Sequence, residues 1–411
     1  MGELVVESEI KQTQLANGLQ IIGEYNPNNQ SAAIGFFVKT GGRDEVEKEY
    51  GLSHFLEHMM FKGTAKRSAL DITYSMGNIG AQSNAYTSEE CTVFYAAIVS
   101  QYFSQMQEIL CDMLRPSLDQ HEFDTEKKVI LEEISLYMDR PQSFFFERAT
   151  KDFFLDHPAG QSVLGTLESV SAIQRDDMLD YFNRRYVPNN MVLVCAGNFS
   201  WDKMVEDAEK YCGSWKAQPV SRKLLPYQPP KIKKEYYRKD LNQAHLLYMT
   251  GSSNVISEDR FAFDVLSMIL GDYVGSKMYW KLVDTGLVES ATCDTDEKDD
   301  VGCFYAYAIM EPEKIQQVSE IVYEIISKPL DFSDDELERA KIKLASRVVL
   351  SGEVPMARMN AIGSGYLARK KVEPLSAIEK RIRSVTRDDI ASAIGKYGFG
   401  TWSEFRMLPE K

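Results

Sequence analysis

The chain has 411 residues, 44% of them apolar and 26% charged, enough for an ample buried core and too many for one typical domain. Its 47 Lys and Arg against 61 Asp and Glu give a net charge of −14, which excludes the basic footprint that nucleic-acid binding or an anionic membrane surface requires. No uncharged apolar stretch reaches the roughly 18 residues of a spanning helix, so neither nucleic acid nor membrane is an expected partner.

The chain opens on MGELVVESEI, without a basic n-region or a long apolar run, so no secretory signal is expected. Six cysteines (91, 111, 195, 212, 293 and 303) are scattered without a CxxC pair, which reads as buried free thiols in a reducing compartment, the cytoplasm by default. LQIIGEY (19–25) and AAIGFFVKT (32–40) are rich in β-branched and aromatic residues and read as strands, as do CTVFYAAIV (91–99) and NMVLVCAGN (190–198). Helical spacing runs through YFSQMQEILCDML (102–114) and FDTEKKVILEEISLYM (123–138). The segment 215–234, WKAQPVSRKLLPYQPPKIKK, has four prolines and a basic cluster and reads as a linker near the midpoint.

Two weak internal matches share nearly one offset. IQRDDMLDYFNRRY (173–186) resembles VTRDDIASAIGKYG (385–398), and FYAAI (94–98) resembles FYAYAI (304–309). The expected architecture is α+β: two homologous α/β sandwich domains, each an antiparallel-rich sheet with helices stacked on one face. The expected boundaries are 1–216, a linker at 217–234, and 235–411.

The stretch SHFLEHMMFKGT (53–64) holds two of only five histidines. Within a helix, His54 and His58 lie one turn apart on one face, a spacing that lets two imidazole nitrogens reach one Zn²⁺. Glu57 lies beside them but offset, where it serves a water rather than the metal. Leu52, Leu56, Met59 and Met60 around them argue for burial, and buried polar groups need partners. A third protein ligand is expected on a second helix. In TEKKVILEEISLYM, Glu126 and Glu133 are seven apart on one face, with Val129 and Ile130 between them, whereas Glu132 points away to solvent. One of Glu126 and Glu133 is expected to ligate and the other to support it.

At these residues the sequence resembles the zinc peptidases of the pitrilysin/insulinase family, the inverzincins with their HxxEH order. The resemblance runs through TGGRDEVEKEYGLSHFLEHMMFKGT, IGAQSNAYTSEECTVFYAAI, EKKVILEEI, DHPAGQSVLGTLESV and YVPNNMVLVCAGNFS. Its two-domain length is similar to the branch of mitochondrial processing peptidase and its bacterial relatives. The resemblance implies one zinc per chain on His54, His58 and Glu133, Glu126 as the neighbour of the third ligand, and Glu57 as general base. It also implies substrate binding at Asn84, Ala85, Tyr86 and Thr87, on an edge strand that pairs with an extended peptide. A clam-shell is implied in which one chain supplies half, hence a homodimer or a heterodimer with a related subunit.

One departure stands out. Active members carry an Arg and a Tyr in a segment of the second half that reads MYWKLVDTGLVES here, with Val283 and Glu289 near those places. Arg358 and Tyr366 are candidate substitutes, a helix salt bridge being the plainer role for Arg358. Three functions follow from the sequence: a zinc endopeptidase on extended peptides, a non-catalytic subunit of the same fold, and a different zinc hydrolase such as an amidase.

Overall fold

The computed structural model describes residues 9–410; the segment MGELVVES, most of the stretch read for a targeting signal, and Lys411 lie outside them. The chain forms two compact units. One comprises the residues up to Leu136, Gln161–Lys223 and Leu350–Leu375; the other comprises Tyr137–Gly160, Leu224–Val349 and the residues from Ser376 on. Residues 215–232 carry neither helix nor strand. Among the described residues no helix is long and apolar enough to cross a membrane.

The first unit is built on six strands: β1 (Glu9–Gln14), β2 (Gln20–Tyr25), β3 (Ser31–Val38), β4 (Gln82–Thr87), β5 (Thr92–Val99) and β6 (Met191–Gly197). They are ordered β1-β2-β6-β3-β5-β4, antiparallel except for the parallel pair β2 and β6. The four strands read from the sequence are β2, β3, β5 and β6; β1 was not read, and β4 was reached only through the family resemblance. Central β6 (MVLVCAG) is buried along its whole length and β3 (SAAIGFFV) from Ala32 onward, as strands covered on both faces must be. The edge strands β1 and β4 carry only exposed and partly buried residues instead, in strict alternation along β4.

Helices such as Phe103–Met113 stack on one face of this sheet. The other face is covered by a helix from late in the chain, Pro355–Arg369, whose Met359, Ile362 and Leu367 pack on Ile22, Ala33, Phe37, Val192 and Val194. It approaches so closely that a Cβ at Gly363 would sit 2.4 Å from the Phe37 ring. Arg358 on this helix is buried, and its Nε and Nη2 donate to Glu24 Oε2 on β2 at 2.8 and 2.5 Å. Its guanidinium is therefore committed to docking the helix: Arg358 takes the salt-bridge role given above as the plainer one, not that of a substrate-holding arginine. Tyr366 packs partly buried against the same apolar cluster.

The second unit repeats the plan with β7 (Lys233–Arg238), β8 (Ala244–Ser252), β9 (Ser290–Glu297), β10 (Gly302–Met310) and β11 (Ser403–Pro409), ordered β7-β11-β8-β10-β9. That is the order β2-β6-β3-β5-β4 again, with the parallel pair at the same place in β7 and β11. The matched segments of sequence fall on β5 and β10 and on the helices Arg175–Arg185 and Arg387–Ile394. Here the covering helix is Pro141–Phe154, with Phe145, Phe153 and Phe154 clustered with Leu247, Met249, Phe405 and Met407. Each unit thus takes one helix from the other half of the sequence.

Removing one partner of a buried ion pair strands the other charge. Arg358→Met is expected to cost roughly 3–5 kcal/mol in urea unfolding, and Glu24→Gln added to it to recover part of that loss. A loss below about 1 kcal/mol in the single variant would show that the pair does not hold the helix.

Candidate metal centre

The motif residues lie on a short helix, Leu52–Met59, with seven of its eight residues buried. Gly51 starts it at φ +93°, and a Cβ there would sit 2.5 Å from Leu164 O, so both conformation and space require glycine. Glu45 closes the helix N-terminus: its Oε2 accepts from Gly51 N at 2.8 Å and its Oε1 from Ser53 N at 2.6 Å. Burial pushes the Glu45 carboxyl up to about 8, against the pull of those two donors. Ser53 Oγ shares a hydrogen bond with Tyr181 Oη at 2.7 Å, and Tyr181 Oη shares another with Thr40 Oγ1 at 2.9 Å. Main-chain and side-chain bonds thereby fix the rotation of the helix about its own axis.

That rotation decides where the histidines aim. The rings of His54 and His58 stand 4.8 Å apart, centroid to centroid. Glu133 comes from the neighbouring helix Gln120–Asp139. Its Oε2 lies 3.8 Å from His54 Nε2 and 3.5 Å from His58 Nε2. On that helix the buried stripe runs through Phe123, Glu126, Ile130 and Ile134. Glu133 is partly buried and Glu132 exposed, while Val129, expected on the core face, is turned to solvent.

Glu126 is buried behind His58 rather than beside Glu133. His58 Nδ1 lies 2.8 Å from Glu126 Oε1, and Glu126 Oε2 takes Lys62 Nζ at 2.5 Å. An Nδ1–H donated to Glu126 leaves the Nε2 lone pair of His58 pointing at Glu133. Burial raises the Glu126 carboxyl, but the bonds from His58 and Lys62 outweigh it and hold the group below the usual range. Burial lowers His58, and the bond to Glu126 with the charges of Glu133, Glu126 and Glu57 outweighs that and raises it. His54 is pushed down to about 4, by burial first and by His58 second, so it is neutral near pH 7. Its Nδ1 is buried without a hydrogen-bond partner, so packing alone orients that ring.

His54, His58 and Glu133 form the one metal-competent group found among the described residues, with their ligand atoms all within 4.8 Å of one another. At 3.5 and 3.8 Å the Glu133 oxygen makes no good hydrogen bond to either imidazole, so the three groups converge without pairing with one another. Four ligands at about 2.0–2.1 Å around zinc stand about 3.3 Å apart, close to the 3.5 and 3.8 Å observed, and two imidazoles with a carboxylate are a common zinc set. The donors fit zinc.

Glu57 is buried one residue from His58. Burial raises its carboxyl, against the Thr87 hydroxyl and the charge of His58. Thr87 Oγ1 donates to Glu57 Oε2 at 2.6 Å. Thr87 ends β4, the free edge of the sheet, which also carries Asn84, Ala85 and Tyr86. Asn84 Oδ1 accepts from Ala85 N at 2.9 Å, and Tyr86 is exposed, edge-on to Tyr95. In the second unit, Val283 packs partly buried against the apolar core, and Glu289 accepts a hydrogen bond from Gln243. Neither supplies a guanidinium or a phenol. Lys62 and Glu45 were missed from sequence; Lys62 sits four residues beyond His58, on the spacing that already linked the histidines.

Residues 20–167 match the family model of insulinase (peptidase family M16), and residues 172–344 match that of the peptidase M16 inactive domain. The chain belongs to the M16 peptidase family. It is 32% identical over 387 residues to an uncharacterized zinc protease of Bacillus subtilis, YmxG, spanning 93% of this chain and 94% of that protein. It is 30% identical over 392 residues to the mitochondrial-processing peptidase subunit beta of Caenorhabditis elegans, spanning 91% and 84% of the two chains. A protease from Helicobacter pylori has the same two-domain fold, with a TM-score of 0.89 at 21% identity over 98% of this chain and 100% of its own. Zinc is thus the metal in the names of relatives of this M16 chain as well as the metal that suits its donors.

Two measurements follow. Glu126→Gln is expected to weaken zinc binding roughly 10–100-fold in a chelator competition, since His58 loses the carboxylate that orients it; unchanged affinity would remove Glu126 from the site. Zinc must also displace the proton of His58, whose pKa lies above that of free imidazole. Affinity is therefore expected to fall as pH drops through that raised value, by roughly tenfold per unit for one proton displaced. An affinity flat between neutral pH and pH 5.5 would contradict this.

Proposed function

We propose that the chain is a zinc-dependent endopeptidase acting on extended peptides or unfolded segments. His54, His58 and Glu133 would hold the zinc, Glu126 would orient His58, and Glu57 would be the general base. The observation that carries this reading is the convergence of two imidazoles and a carboxylate, their ligand atoms within 4.8 Å of one another, beside the buried carboxyl of Glu57, whose proton affinity is raised.

Zinc, when bound, polarises a peptide carbonyl and acidifies water. The protein supplies the rest. Glu57 takes a proton from the attacking water and delivers it to the leaving amine, and its raised pKa brings it nearer the range in which both transfers are efficient. The β4 strand, from Asn84 to Thr87, ends the sheet and would pair through its backbone with an extended peptide, so affinity would depend little on sequence. The net charge of −14 favours basic peptides. Two chains, identical or related, would each supply half of an enclosed chamber, and the six unbridged cysteines suit a reducing cytoplasm.

A second reading, a non-catalytic subunit active only beside a partner that supplies the Arg/Tyr pair, draws on Val283 and Glu289. Zinc-loaded protein incubated with a fluorescent peptide library, with and without chelator, separates the two. The peptidase reading predicts chelator-sensitive cleavage by the chain alone. Glu57→Gln is expected to keep its zinc and lose roughly 10²–10⁴-fold in kcat. Full turnover in a metal-replete Glu57→Gln chain would exclude Glu57 as the base.

A further inference from the structure

We infer that Thr87 is a positioning residue for the general base, joining the substrate-bearing edge strand to Glu57 rather than contacting the peptide. The inference rests on the reading of Glu57 as base and adds to it.

Along β4 the side chains alternate. Gln82, Asn84 and Tyr86 are exposed, whereas Ser83, Ala85 and Thr87 are partly buried on the other side of the strand. Thr87 has one hydroxyl proton and two neighbours for it. Glu57 Oε2 is at 2.6 Å and Thr92 Oγ1 at 3.5 Å, and Thr92 itself donates to Thr40 O at 3.0 Å. The proton therefore goes to Glu57. With Oε2 occupied, Oε1 is the oxygen left to receive a proton from water.

The place of Thr87 is itself fixed. The turn that follows it is closed by Ser88 N to Cys91 O at 2.8 Å and pinned from behind by Gly42 N to Ser88 O at 3.2 Å and Arg43 N to Glu89 O at 3.0 Å. One end of the edge strand is thus anchored, and the anchored end holds the base. A peptide that pairs along β4 takes its register from the same strand that sets the Glu57 carboxylate. Attacking water and scissile carbonyl then share one frame of reference, and misplacement by about 1 Å costs up to roughly 100-fold in such geometry.

The test compares Thr87→Val, which keeps the β-branched shape and removes the donor, with Thr87→Ser, which keeps the donor. Thr87→Val is expected to lower kcat about 10–100-fold with KM within about twofold. Zinc affinity by chelator competition and peptide affinity in a Glu57→Gln background are both expected to be unchanged. Thr87→Ser is expected to restore kcat to within about threefold of wild type. If Thr87→Val lowers the melting temperature, Thr87→Ala takes its place. Unchanged kcat in the donor-less variant overturns the inference, and so does a loss confined to KM, which would make Thr87 a substrate contact. A wild-type chain that binds zinc and peptide but cuts nothing overturns the peptidase reading and this one with it.

Discussion

Two imidazoles and a carboxylate drawn together from two helices are the constraint on which the site depends. His54 Nε2, His58 Nε2 and Glu133 Oε2 converge from two helices, His54 buried and His58 and Glu133 partly buried. Such an arrangement is costly unless a cation completes it. The protein tolerates it because neither helix is free to relax. The motif helix has seven of eight residues in the core, and the Glu133 helix is held by Phe123, Ile130 and Ile134. The surrounding charges are arranged to match: Lys62 balances Glu126, and Glu126 fixes the tautomer of His58. His54 has no such partner, so the two imidazoles are oriented by different means, one by charge and one by packing.

The second unit repeats the frame with other side chains at the matching positions. Its strand order repeats that of the first, and the helix Arg260–Gly271 carries Asp264 and Met268 at positions 210 residues after His54 and His58. There the thioether of Met268 lies 3.2 Å from Arg347 Nη1, and Arg347 is paired with Asp272. The two units thus share a strand order while the side chains at these matching positions differ.

Much of this was legible in sequence because it rests on local periodicity. The spacing of His54 and His58 gives a shared helical face directly, and the seven-residue step from Glu126 to Glu133 narrows the third ligand to two residues. The four strands read from composition are the buried or half-buried ones. What was not legible depends on partners remote in the chain. Nothing local to Arg358 announces Glu24, 334 residues away, and nothing in PQSFFFERATKDFF announces that it covers a sheet formed by strands from the later half of the sequence. Val129 misled because an apolar residue on a helix is read as core, whereas the stripe through Phe123, Glu126 and Ile130 leaves it outside. Glu45 escaped notice because the signal of an N-terminal cap is a residue adjacent to the helix, and this one reaches it from six residues before Gly51.

The most direct measurement of the central claim is X-ray absorption at the zinc edge on stoichiometrically loaded protein. The account predicts one zinc per chain with two imidazole nitrogens and carboxylate or water oxygen, all at about 2.0–2.1 Å. A sulfur neighbour at about 2.3 Å, or a shell with fewer than two imidazoles, would contradict it.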